Sequence, residues 1–485
     1  MLRTDLPPLP PDLVTLLDTD ELLTEGADLA PYLVDHRKLY QGHARAVVLP
    51  RSVAKVAAVI RCCAQHGIGV VPQGGNTGYC GGATPDESGT QIVLALKRLN
   101  AVRSIDADNF SMTVEAGCTL EQVQRAAEDA GRFFPLALGS QGSCQIGGNL
   151  ATNAGGLNVL RFGMTRELVL GIEAVLPDGS LFEGLTALRK DNTGYDLKSL
   201  LIGAEGTLGV ITAATLKLWP QMRSHAAAFV AIPDVRSAVA LLALLRATAG
   251  ERLNSFELIP RVGIDLTTRF IPGVTDPLDQ PHHWYILCEL SSPSVEPLDA
   301  LLQQALGTAL EQGLALDAAL AQNERQRLAF WRLRESIPEA QRHAGPSLKH
   351  DISVPVHELP DFVAAASHWV AEHVPDGVLV CYGHAGDGNL HFNINRTDGF
   401  ADASFLAREP VVKRAIHELV HQFHGSISAE HGIGRLKVEE LERYAPPAEL
   451  AAMRAIKAAL DPKGIMNPGK VLREPHHLPR GGPTP

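Results

Sequence analysis

The sequence predicts an α+β protein made of two successive domains and a helical C-terminal segment. From Ala46 to about Pro220, short β-branched strands alternate with helical stretches, and glycines crowd into three loops at 74–82, 139–156 and 203–209. After Trp219-Pro220 these loops stop, and long amphipathic helices appear with strands such as 284–290 between them. The last stretch, about 431–474, reads as helix and closes with the turn-rich MNPGK. A chain of 485 residues is long enough for roughly three units of ordinary size.

Taken in order, residues 1–42 are expected to form a helical lead-in, because LVTLLDTDELL spaces its apolar residues as a helix does. Strands are expected at 46–49, 69–72, 91–96 and 112–117. A helix over 52–67 should stop at Gly67, and one over 119–131 should start from a Thr119 cap. These elements place a first domain at 43–220. The second, 221–430, is expected to be α+β with an antiparallel sheet. Its helices are expected at 237–250 and 297–313, each ending in glycine, and at 324–337, where Phe330 and Trp331 serve the core. Residues 431–474 form the C-terminal segment, and 475–485 a flexible Pro/Gly-rich tail.

Composition narrows the function. The 43 basic and 54 acidic residues give a net charge of −11, which opposes the broad grip on phosphate that nucleic acids require. Seven scattered cysteines without a C-x-x-C spacing suggest neither a disulfide framework nor a thiolate zinc knuckle. The acidic, proline-interrupted N-terminus lacks signal-peptide character, and no apolar run has transmembrane length. A cytoplasmic protein without integral membrane contact is expected.

PQGGNTGYCGG (72–82) follows an apolar strand, and such a loop can present its backbone amides as an anion nest. It matches neither G-x-x-x-x-G-K-[ST] nor G-x-G-x-x-G leading into a helix, so the usual ATP and NAD sites are not indicated. Alone, it reads equally well as a structural glycine turn. Two further segments carry the Gly, Ser, Thr and Asn content that surrounds a polar cofactor: GSQGSCQIGGNLATNAGG (139–156) and LLIGAEGTLGVITAATLKL (200–218).

In this order along the chain, the three segments resemble the flavin-binding domain of the vanillyl-alcohol oxidase and p-cresol methylhydroxylase family over about 45–220. The resemblance implies an extended FAD whose pyrophosphate is held by the first loop. It implies contacts from Pro72, Gln73, Gly74, Gly75, Asn76, Thr77 and Gly78. The second segment would add Gly139, Ser140, Gly142, Gly147, Gly148, Asn149, Thr152, Asn153 and Gly155. Glu205, Gly206, Val210 and Ile211 follow, with Asn467 from the C-terminal segment returning to the flavin. Some relatives attach FAD through a histidine where Asn76 stands here; Asn76 has no nucleophilic ring nitrogen, so a non-covalent FAD is implied. Cys144 is expected to pack rather than attach.

CYGHAGDGNLHFNIN (381–395) reads as strand, tight turn and strand, with Gly386-Asp387-Gly388 as the turn. Alternation puts His391 and Asn393 on one face and Phe392 on the other, and His384 can fold back to the first face. HGSISAEHGIGR (424–435) adds Glu430 and His431. Two imidazoles and a carboxylate with an open position suit zinc or a similar divalent ion. The same residues allow a plainer reading, in which His384 bonds a backbone carbonyl and Glu430 pairs with Arg435.

Together the motifs resemble the D-2-hydroxyacid dehydrogenase branch of that flavoprotein family across nearly the whole chain. The resemblance implies oxidation of a D-2-hydroxy acid to the 2-oxo acid, D-2-hydroxyglutarate ahead of D-lactate. A flavin subunit of a glycolate-oxidising complex is the other alternative. It makes His384, His391 and Glu430 the metal ligands, and Asn393 and His431 substrate contacts, with His431 the base. Arg334, in FWRLRESI, and Lys349, in SLKHDISVP, would meet carboxylates. The residues alone also allow Arg334 on a solvated helix face and Lys349 paired with Asp351. Pro338 stands where hydroxyglutarate enzymes of the human type carry a hydroxyl residue. With no iron–sulfur cysteine cluster, electrons would leave to a partner such as an electron-transfer flavoprotein, a quinone or oxygen. A homodimer is a further expectation.

Overall fold

In the computed structural model, which describes residues 8–397 and 401–473, the helix Val53–His66 opens on Ser52, whose hydroxyl accepts the Lys55 amide hydrogen. It stops at Gly67, where a φ of 62° is left-handed backbone that glycine adopts without a Cβ clash. The helix Leu120–Asp129 opens with a reciprocal capping box between Thr119 and Gln122. Both boundaries follow from the local sequence.

The chain forms two units. The first comprises the described residues of 8–154, 164–220 and 431–473. One of its sheets orders Leu22–Leu23, Ala46–Val48, Ile92–Ala95 and Val70–Gln73, the last three parallel. Its parallel strands are covered on both faces, so they read as unbroken apolar runs. Val56, Val59 and Ile60 of the helix pack with Val70, Ile92 and Leu94, and with Ile465 and Met466 from the chain's end. The second sheet is antiparallel, in the order Val102–Asp106, Ser111–Glu115, Val210–Lys217, Val169–Val175 and Leu181–Gly184. The C-terminal stretch is knitted into the first sheet: Val70 donates to Ile465 O (2.7 Å) and accepts from the Asn467 amide (2.8 Å).

The second unit comprises Gly155–Gly163 and Gln221–Glu430. Its larger sheet is antiparallel, in the order Leu253–Pro260, Trp284–Ser292, Ser224–Ile232 and Asp317–Leu320. Alternate residues Ala227, Phe229 and Ala231 share a core with Tyr285 and Leu287 and with Phe330, Trp331, Leu333 and Ile337 of the helix Glu324–Ala344. A smaller sheet centres on Asn389–Arg396, which pairs with Ser347–Leu348, Asp351–Ser353 and Gly377–Tyr382.

Several details differ from the sequence expectation. The helix expected to end at 337 runs on through Pro338 to Ala344. Pro338 removes one helical N–H, but buried Ile337, Ala340 and Gln341 hold the next turn against the unit's interior. The expected tight turn is a six-residue loop, 383–388, because Gly383 makes two backbone hydrogen bonds with Leu258 of the neighbouring strand. Residues 155–163 group with the second unit. Leu157 O accepts from the Ser255 hydroxyl, Asn254 donates to the Asn158 side chain, and Arg161 donates to Ser291 O. The expected tail, 475–485, lies outside the described residues.

Candidate active site

In the first unit, the loop after strand Val70–Gln73 lines an open cleft. Pro72, Gln73, Gly74, Gly75, Asn76, Thr77 and Gly78 form one wall; Gly147, Gly148, Asn149 and Thr152 another; Glu205, Gly206, Val210 and Ile211 a third. Among the described residues, none of the amides of Gly74, Gly75, Asn76, Thr77 and Gly78 donates to a protein acceptor. Five successive free donors are what a pyrophosphate would need. The buried Gln145 Oε1, also without a partner, faces the same cleft. The residues therefore fit an anionic, polar cofactor such as FAD. Close packing fixes the loop: a Cβ on Gly75 would stand 2.1 Å from Ser143 O. Asn76 takes a φ of 53° and donates its side-chain N–H to Val34 O (2.8 Å).

His431 lines this cleft, half-buried, with its ring edge-on to Tyr79 at 4.7 Å between centroids. Its backbone is placed by Glu205. Glu205 Oε1 accepts the Ile433 amide hydrogen (2.7 Å) and Oε2 that of Gly434 (2.8 Å). Burial pushes the Glu205 carboxyl up, and these two bonds oppose the shift. Asn467 ties the chain's end to the cleft wall by donating to Gly82 O (2.9 Å) and Glu205 O (2.7 Å). Gly139, Ser140, Gly142, Asn153, Gly155 and Asn467 do not themselves line the cleft, whereas Cys80, Gly82, Ala83, Leu96, Gln145, Ala151, Leu201 and Gly209 do. Cys144 is buried and accepts from Asn149 at 3.7 Å.

In the second unit, His384, His391 and Glu430 bring one ligand atom each within 4.8 Å of one another. His384 comes from the loop 383–388, His391 from the strand Asn389–Arg396, and Glu430 from the end of the unit. His384 Nδ1 lies 2.7 Å from Glu257 Oε1, which leaves Nε2 facing Glu430 Oε1 at 3.5 Å. A carboxylate behind a ligand imidazole is the arrangement that orients metal-bound histidines. Glu257 Oε2 in turn accepts from Arg334 Nε (2.9 Å), and the guanidinium stacks 4.8 Å above the Tyr382 ring. Glu430 is anchored by its amide, which donates to Asp351 Oδ2 (3.0 Å). Two imidazoles and a carboxylate fit a divalent ion by donor chemistry.

The electrostatics agree with that fit. Burial alone would raise Glu257, but His384 and Arg334 hold it down near about 2. Burial would lower His384, yet Glu257 and Glu430 outweigh it and raise the imidazole to about 9. Burial lifts Glu430 to about 7, against the pull of His384 and with help from Asp351, Asp387 and Glu257. His384 and Glu430 therefore hold protons near neutral pH that a bound cation would displace.

The remaining expected residues divide. Arg334, far from a solvated helix face, is 4% exposed and committed to Glu257. Asn393 is buried, donating to Gln341 Oε1 (3.1 Å) and accepting the His350 amide hydrogen (3.3 Å). Lys349 is exposed. Arg435, the alternative partner of Glu430, pairs with Glu87. Glu257 escaped the sequence reading. Its signal was an acid inside the apolar strand LNSFELIP, which is costly to bury unless paired.

The fold and the cleft together define a flavoprotein. Residues 44–184 match the FAD binding domain family and 221–471 match FAD linked oxidases, C-terminal domain. The chain belongs to the FAD-linked oxidases and is an FAD-dependent oxidoreductase. It is 41% identical over 460 residues to D-2-hydroxyglutarate dehydrogenase, mitochondrial, of Bos taurus, with 93% of this chain and 81% of the relative covered. It is 38% identical over 463 residues to D-2-hydroxyglutarate dehydrogenase of Xanthomonas citri pv. viticola, with 96% of each covered. Among solved structures it is similar to p-cresol methylhydroxylase with substrate bound (TM-score 0.75, 18% identity, 95% of this chain and 96% of that one). It is also similar to alkyldihydroxyacetonephosphate synthase (TM-score 0.75, 16% identity, 96% and 86%). These two likenesses show the fold, and the family resemblance read from the sequence is borne out.

Proposed function

We propose that this chain oxidises D-2-hydroxyglutarate to 2-oxoglutarate, using FAD and a divalent cation, zinc first, held by His384, His391 and Glu430. The observation that carries the reading is the convergence of those three ligand groups in a chain about 40% identical to relatives named for that activity. Bound FAD supplies a two-electron acceptor for the hydride leaving the substrate carbon. A cation supplies Lewis acidity that favours the ionised form of a hydroxyl. His431, half-buried in the cofactor cleft and braced by Tyr79, accepts the hydroxyl proton. Glu257 holds the His384 ring with Nε2 presented, and Arg334 keeps Glu257 ionised. Arg334 and Lys349 give a dicarboxylate cationic surroundings, and Asn393, held by Gln341 and His350, offers a fixed amide.

The reading is tested by anaerobic addition of D-2-hydroxyglutarate to the purified flavoprotein, with D-lactate and D-malate in parallel. The flavin should bleach with D-2-hydroxyglutarate at the lowest concentration. Bleaching by D-lactate alone would reassign the substrate, and an unbleached flavin with all three would remove the assignment. Cytoplasmic placement, an electron-transfer flavoprotein or quinone as acceptor, and a homodimer belong to the same proposal. Among the described residues no helix is long and apolar enough to cross a membrane, and the plant and animal relatives are named mitochondrial.

A further inference from the structure

We propose that the first unit carries a second cation site, built from Asp12, Cys62 and His66, that clamps the lead-in helix onto the helix Val53–His66. Cys62 and His66 stand four residues apart, so they share one helix face. That face meets the short helix Pro11–Thr15, whose Leu13 is fully buried in the same core. Asp12 Oδ2 lies 3.5 Å from Cys62 Sγ and 3.0 Å from His66 Nε2, and the three ligand atoms all fall within 4.8 Å of one another. A tetrahedral zinc, with bonds of about 2.3 Å to sulfur and about 2.0 Å to nitrogen or oxygen, holds its ligand atoms roughly 3.3–3.6 Å apart. The two spacings from Asp12, 3.5 Å to sulfur and 3.0 Å to nitrogen, lie close to those values.

The donor set is chemically distinct from the His384 trio. One thiolate, one imidazole and one carboxylate suit a borderline-soft ion such as zinc. The sulfur is buried, while His66 and Asp12 keep 42% and 50% of their side chains exposed, which leaves an entry path and room for a water ligand. Binding replaces the S–H bond by a metal–sulfur bond; the proton leaves to solvent, and no electron is transferred. In the absence of metal the thiol stays protonated, raised to about 11 by burial and by its hydrogen bond to Asp12. The ion thus takes the place of a proton the carboxylate already shares.

Cobalt(II) titration of the holoenzyme tests this, because only a sulfur-containing site gives thiolate-to-cobalt charge-transfer absorption in the near ultraviolet. The expected result is such a band saturating near one equivalent, in difference spectra against Cys62→Ser. It should persist in His384→Ala, whose altered site has no sulfur. His66→Ala should weaken cobalt binding at least tenfold, and its exposed position makes misfolding an inadequate explanation for that loss. Absence of the band in the parent protein, or its survival in Cys62→Ser with the flavin still bound, overturns the proposal.

Discussion

Glu257 Oε1 sits 2.7 Å from His384 Nδ1 while its other oxygen receives the Arg334 guanidinium, so one buried carboxylate joins a helix cation to a loop imidazole. Three side chains with almost no exposure gain stability only as a set. Removing one partner of a buried ion pair typically costs about 3–5 kcal/mol, because the other charge is left unpaired. The arrangement also fixes the orientation of the imidazole ring and hence which nitrogen faces Glu430.

Glu257→Gln should lower divalent-metal affinity about 10–100-fold, measured by competition with a chelating dye, while flavin absorbance is retained. It should also change acid stability. The folded carboxyl, near 2, lies below its ordinary value of 4.5. Its contribution, about 3 kcal/mol at most, is complete above pH 4.5 and lost as pH falls toward 2. The stability gap between parent and variant should therefore narrow over that interval in denaturant titrations. A gap that widens on acidification would contradict the pairing.

His384→Ala should abolish stoichiometric zinc at the trio and reduce turnover at least a hundredfold, with FAD content unchanged. Metal analysis and flavin spectra on one preparation separate these effects. Full activity after chelation would exclude a metal role.

Glu205→Ala leaves the Ile433 and Gly434 amides without their acceptor. Two orphaned donors cost about 2–4 kcal/mol, and the loop bearing His431 loses its brace. A lower melting temperature and a fall in kcat exceeding the change in KM are expected. Glu205→Gln, which keeps one acceptor, should recover part of both.

Gly75→Ala would place a methyl 2.1 Å from Ser143 O, displacing the amide-rich loop. The purified variant should contain less than a tenth of the parent's flavin per chain. Gly67→Ala provides the control: its Cβ meets nothing within 4 Å, so it should lose about 1 kcal/mol of stability through its left-handed backbone and keep its flavin.

Caps, strands and glycine loops were legible in the sequence because local chemistry decides them: Ser52, Thr119 and Gly67 end their helices without help from distant residues. The pairing of His384 with His391 was readable from the hairpin register. Glu257 was not, since its partners lie 77 and 127 positions away in the chain. For the same reason the residues alone allowed Arg334 a solvated helix face as the alternative to carboxylate binding, although it is buried. The loop 383–388 was misjudged as a tight turn because its opening glycine answers to Leu258, a long-range partner.

The first unit is interrupted in the chain, and His431 and Asn467, which complete and brace its cofactor cleft, are made after the whole of the second unit. Because synthesis proceeds from the N-terminus at about 5–20 residues per second, the nascent protein spends many seconds with this basin open on one side. A product arrested before residue 431 lacks these two residues and should therefore release its flavin more readily than the full chain.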